Sequence, residues 1–173
     1  MTRRPVEAAV LVAAFGLLAG CAGSSEEREY AVPSTLCGVS VDPELVSPFL
    51  PGGKGLRVKE ERPVPSRTIC RLDVAGKWAL MANLQWWDED VSIATVADAN
   101  PQLGTAHTSS DSTFFYSGTG AVVRVNGCSS SEHSGQTLYT SLRVRDTELA
   151  DPAAMKKLAT AYTEAVKNSD ACS

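Results

Sequence analysis

The chain has 173 residues, 16 basic and 20 acidic, for a net charge of −4. That length suits one globular domain of ordinary size, and the acidic balance argues against nucleic acid as a partner. Charges of both signs are interspersed, with no like-charge run long enough to mark a tail or a strong field.

The first residues have the parts of an export signal. Arg3 and Arg4 supply positive charge, which stays on the cytoplasmic side, and Ala8 to Leu18 form a short apolar run. A membrane-spanning helix needs about 20 apolar residues, and this run is shorter. Pro5 and Val6 follow the arginine pair where twin-arginine signals usually show polar and aromatic residues. The closing Leu18-Ala19-Gly20-Cys21 resembles the lipobox of bacterial lipoproteins. That resemblance implies that the Cys21 thiol receives a diacylglyceryl group and that Cys21 becomes the first mature residue, with palmitate completing the lipid anchor. Ala22 to Tyr30 is small, polar and charged and has no apolar face to bury. The expected organisation is a signal peptide over 1–20, a lipidated cysteine and flexible tether over 21–32, and a globular extracytoplasmic domain over 33–173. Random-coil scaling would set the domain on the order of 15–20 Å from the lipid headgroups.

With Cys21 taken by lipid, Cys37, Cys70, Cys128 and Cys172 remain. An even number in an exported chain reads as two disulfides, because the compartment outside the membrane is oxidising. Four thiols allow three pairings. Cys37–Cys70 with Cys128–Cys172 is favoured because each bridge then closes a moderate loop within one half of the domain, for roughly 3–4 kcal/mol each. Zinc is a poor alternative, since no Cys-x-x-Cys occurs and His107 and His133 lie far from matching spacing.

Asp42-Pro43-Glu44 starts a short helix that ends before Pro51-Gly52-Gly53. Leu56 to Glu60 and Thr68 to Val74 alternate apolar and polar side chains as strands do, and Ala75-Gly76-Lys77 turns into a third strand, Trp78 to Trp86. Asp88-Glu89-Asp90 caps a second helix carrying Val91, Ile93, Val96 and Ala97 and stopping near Asn100-Pro101. A polar loop containing His107 leads to a hairpin, Thr113 to Ser117 and Ala121 to Asn126; a second loop contains His133, and Thr137 to Arg145 is the last strand. Asp151-Pro152 then opens a helix with Met155, Leu158, Ala159, Tyr162, Ala165 and Val166 on one face. The order α-βββ-α-βββ-α predicts an α+β single domain: an antiparallel sheet of about six strands covered by two or three helices.

Catalytic motifs are scarce. Pro51-Gly52-Gly53-Lys54-Gly55 lacks phosphate-loop spacing and precedes a strand rather than a helix. Ser117-Gly118-Thr119-Gly120 is a hairpin turn and not a nucleophile elbow, and both histidines sit in polar loops. Asp88, Glu89 and Asp90 lack the alternating ligand spacing of a calcium loop. Trp86 and Trp87 are the candidates for ligand contact: neighbouring strand residues point to opposite faces, so one ring is free to stack on a sugar or line an apolar groove if only one face is covered.

The lipobox, Cys37 early in the domain, Cys70 in the second strand and a late cysteine pair resemble small lipoproteins of high-GC Gram-positive bacteria. Within that group the chain is similar to the family known as domain of unknown function 3558. There an early Cys-Gly and a later strand cysteine recur, matched here by Cys37-Gly38 and Cys70; Leu72 stands where that family often has an aromatic residue. The resemblance implies location and architecture and brings no catalytic residues. The expectation is a non-catalytic binding or accessory module of the cell envelope, anchored in the membrane and facing outside the cytoplasm. Its partner would be an envelope protein, a lipid or a cell-wall component, with no cofactor or metal. The alternatives are a hydrolase of envelope polymers and a lipid carrier with an apolar cavity.

Overall fold

Three helices begin at side chains that accept a hydrogen bond from an otherwise unpaired amide of the first turn. A computed structural model, which describes residues 27–109 and 113–172, shows each of them. Asp42 caps α1 (Pro43–Val46), Ser92 caps α2 (Ile93–Asp98), and Asp151 caps α3 (Pro152–Lys167) by accepting from the Ala154 amide at 2.9 Å. Proline occupies the start of α1 and of α3, as expected. The second helix starts later than expected. Asp88 is still strand, paired with Gln136, and it is Ser92 that accepts from the Thr95 amide at 3.2 Å.

The strands are β1 (Thr35–Leu36), β2 (Val39–Ser40), β3 (Leu56–Val64), β4 (Arg67–Val74), β5 (Lys77–Asp88), β6 (His107–Thr108), β7 (Phe114–Tyr116), β8 (Gly120–Arg124) and β9 (Gln136–Val144). Seven of them make one antiparallel sheet in the order β3-β4-β5-β9-β8-β7-β6, and β1 and β2 pair as a separate hairpin. This is the α+β single domain expected, with two short additions. One is the β1–β2 hairpin, whose two-residue turn, Cys37 (φ 47°) and Gly38 (φ 87°), has the left-handed backbone of a type I′ turn. The other is β6, which takes His107 out of its expected loop and places it on the far edge strand.

The core follows from the period of two. On one face of the sheet Leu72, Leu80, Ala82, Leu138, Leu142 and Val144 meet Met155, Leu158, Tyr162 and Val166 of α3, all nearly or fully buried. Each large aliphatic side chain there contributes about 1.5–3 kcal/mol relative to exposure. Phe49, Leu36 and Val46 close the flank. On the opposite face Val96, Ala97 and Leu103 cover Val122 and Tyr139 at the β8–β9 side. Across β3 and β4 that second face is polar: Lys59 Nζ reaches Asp73 at 2.8 Å, and Arg71 bridges Glu61 and Asp73 at 3.2 and 3.0 Å.

Both disulfides form in the favoured pairing. Cys37–Cys70 ties the tip of the β1–β2 hairpin to β4, and Cys128–Cys172 ties the loop after β8 to the 3-10 turn beyond α3. Residues 27–32, read from the sequence as the end of the tether, are instead docked on the domain. Arg28 donates to the carbonyls of Ser47 and Leu50, Tyr30 donates to the Pro51 carbonyl, and the Glu29 amide donates to Gly53 at 3.0 Å. The turn after α1 leaves those carbonyls outward, and the arginine fork satisfies two of them. Residues 1–26, with the signal segment and Cys21, lie outside the described residues.

Candidate functional site

At the end of the sheet where β3 turns into β4, a groove of about 380 Å³ opens between five separate stretches of chain. The first is the Cys37-Gly38 turn, fixed to β4 through Cys70; the second is the β3–β4 corner, through Glu60, Arg62, Pro65, Ser66 and Thr68; the third is β5, contributing Leu84 and Trp86; the last two walls are Ser130 to His133 and Ser169 to Ala171. The Cys128–Cys172 bridge anchors that last wall, since Cys172 follows Ala171 directly. Two covalent links therefore brace two walls of one opening. A second depression of similar volume, near Lys54 and Asp73, carries no aromatic residue, and Lys59 and Arg71 neutralise its carboxylate.

Trp86 is the aromatic floor of the groove. It is 8% exposed, and its ring stacks on His133 with centroids 4.6 Å apart and planes 14° from parallel. His133 is half-buried, and its Nδ1 lies 2.9 Å from Gln136 Oε1. With the amide oxygen as acceptor, Nδ1 carries the proton in the neutral ring, leaving Nε2 as the acceptor. The Ser130 hydroxyl accepts from the Glu132 amide at 3.3 Å and so shapes the short turn that presents the imidazole. Glu60 and Arg62 pair at 2.8 Å on the rim. The imidazole thus caps the buried indole, and the groove offers the half-buried His133 ring and a polar, hydroxyl-bearing border that can hydrogen-bond a ligand.

Trp87 points to the other face, as the alternation requires, but that face is covered as well: the ring is half-buried against the cluster of Val91, Ile93 and Val96. Of the two tryptophans only Trp86 lines the groove. His107 does not join it; its ring lies 5.3 Å from that of Tyr116 on β7. Among the described residues no hydroxyl is hydrogen-bonded to His133, and no three His, Cys, Asp or Glu side chains converge to hold a metal ion. The stacking of Trp86 on His133 escapes sequence reading, because 47 positions separate the two and no motif joins them.

No protein-family model, curated protein or solved structure matches this chain.

Proposed function

We propose that the protein is an extracytoplasmic lipoprotein, held to the membrane through Cys21, that acts as a non-catalytic binding or accessory module of the cell envelope. The observation that carries this reading is the cysteine pattern. Four of five cysteines are consumed in two disulfides within one domain, which belongs to an oxidising compartment, and the fifth stands alone at the end of a lipobox. The likeness to domain of unknown function 3558 belongs to the same reading, since Cys37-Gly38 and Cys70 build the braced wall of the groove. Among the described residues no helix is long and apolar enough to cross a membrane.

The binding role rests on the groove with its half-buried His133 ring and hydroxyl-bearing border, and its ligand class is a hydrogen-bonding envelope component. Replacing Cys21 with Ser should abolish incorporation of labelled fatty acid and release the protein from the membrane fraction. Undiminished labelling would remove the anchor from the proposal. Turnover of purified envelope polymers by the wild-type protein, lost in His133→Ala, would replace the binding role with a hydrolase.

A further inference from the structure

We propose that the polar half of the second sheet face carries a binding site for a small oxyanion, gripped by Arg67 and Arg143 above Asn83 and Ser141. It is separate from the groove and does not depend on the lipid anchor. The register sets the geometry. Ile69, Asn83 and Ser141 lie opposite one another on β4, β5 and β9; Arg67 sits one pleat to one side of that row and Arg143 one pleat to the other. The two arginines therefore flank the Asn83–Ser141 pair from diagonal corners of the same face.

Three observations point to an anionic ligand. First, every other buried or half-buried charge on β3 and β4 of this face is neutralised, Lys59 and Arg71 by Asp73 and Arg71 also by Glu61, whereas no carboxylate pairs with Arg67 or Arg143 among the described residues. Second, Arg67 Nε and Arg143 Nε are buried and have no hydrogen-bond partner. Third, Asn83 is 2% exposed and its Oδ1 has no donor, while its Nδ2 donates to Ser141 Oγ at 3.0 Å. Turning the amide over lets the Ser141 hydroxyl donate to Oδ1 and offers the Nδ2 hydrogens to a ligand instead. Burial and the nearby Arg67 charge both weaken the hold of Arg143 on its proton, so the two cations repel each other. Unpaired donors and like charges gathered at one place are costly, and a phosphate or carboxylate group removes both penalties at once. Two planar guanidinium forks suit such a group better than point charges would.

The test uses the full-length protein in detergent, titrated calorimetrically with sodium phosphate at low ionic strength and with sodium chloride as the reference. Saturable millimolar binding is expected for phosphate alone. Arg67→Gln and Arg143→Gln should each weaken it by about tenfold or more, and Arg67→Lys, which keeps the charge and removes the fork, should weaken it too. Lys157→Gln, which deletes a charge from exposed α3, should leave it unchanged. Phosphatidylglycerol vesicles, with phosphatidylcholine vesicles as control, distinguish the source. Competition between phosphatidylglycerol and phosphate assigns the site to a lipid headgroup, and phosphate binding without competition assigns it to a soluble ligand. No saturable phosphate binding, an equal response to chloride, or full affinity in the Arg67→Gln/Arg143→Gln double variant would overturn the proposal.

Discussion

Removing the Cys128–Cys172 bridge tests the idea that one covalent link serves both the stability of the domain and the shape of the groove. The bridge joins positions 44 residues apart. A loop of that length costs the unfolded chain about 4 kcal/mol of closure entropy, so Cys128→Ser/Cys172→Ser should lose about that amount of stability. Against a typical domain stability of about 5–15 kcal/mol this is a large fraction, equivalent to a melting-temperature drop of roughly 8–16 °C for a chain of this size. Urea titration is the direct assay. The midpoint should fall, and the slope should rise because the unfolded chain is no longer looped and exposes more surface. Ser169 to Ala171 line the groove and precede the lost link, so their amides should also exchange faster with deuterium. A stability loss below about 1 kcal/mol, with unchanged exchange at those residues, would refute the reasoning and show that packing alone holds the C-terminal turn.

Three further outcomes follow from single sites. Trp86→Ala should cost about 3–5 kcal/mol and shift the His133 ring protons in NMR spectra, since the stacked face is removed; unshifted resonances would mean the two rings do not stack in solution. Gly118→Ala places a methyl 2.8 Å from the Ala150 Cβ and should destabilise by about 1–3 kcal/mol, unless melting curves show that the loop yields. Asp73 titrates below its ordinary value of 3.8, mainly because Lys59 donates to it, with the Arg71 charge adding to the effect against the cost of burial. A carboxyl depressed in the folded state stabilises fully above the unfolded value and loses that contribution as pH falls through the lower folded one. Acid unfolding below about pH 4 should therefore be shallower in Asp73→Asn than in the wild type; identical profiles would exclude this carboxyl as a contributor.

Signals with a strong local cause are legible in the chain. Asp151-Pro152 followed by apolar residues at helical spacing defines α3, and the alternation through Leu72, Leu80 and Leu138 defines the buried face of the sheet. The disulfide pairing follows from keeping each loop within one half. The β1–β2 hairpin is hidden because its turn puts a cysteine, not the usual Asn or Asp, at positive φ, where the Cys70 bridge holds it. Strand β6 is too short to show any period, and Ser92 outcompetes three consecutive acids for the cap because β5 runs on to Asp88. The exposure of Trp87 was beyond reach for a different reason: alternation says which face a ring takes, not whether a helix covers that face. The groove itself has no sequence signature, since its walls come from segments far apart in the chain.

The docking of Arg28 and Tyr30 also fixes where the chain enters the domain. It arrives beside Gly53, at the end of β3 opposite the β3–β4 corner that borders the groove. Strand β3 has nine residues and is about 30 Å long. Residues 22–26 extend by at most about 20 Å, so a molecule suspended from Cys21 would hang close under its lipid by one pole. Under the proposed anchoring through Cys21, the groove with Trp86 and His133 would lie at the other pole, turned away from the membrane.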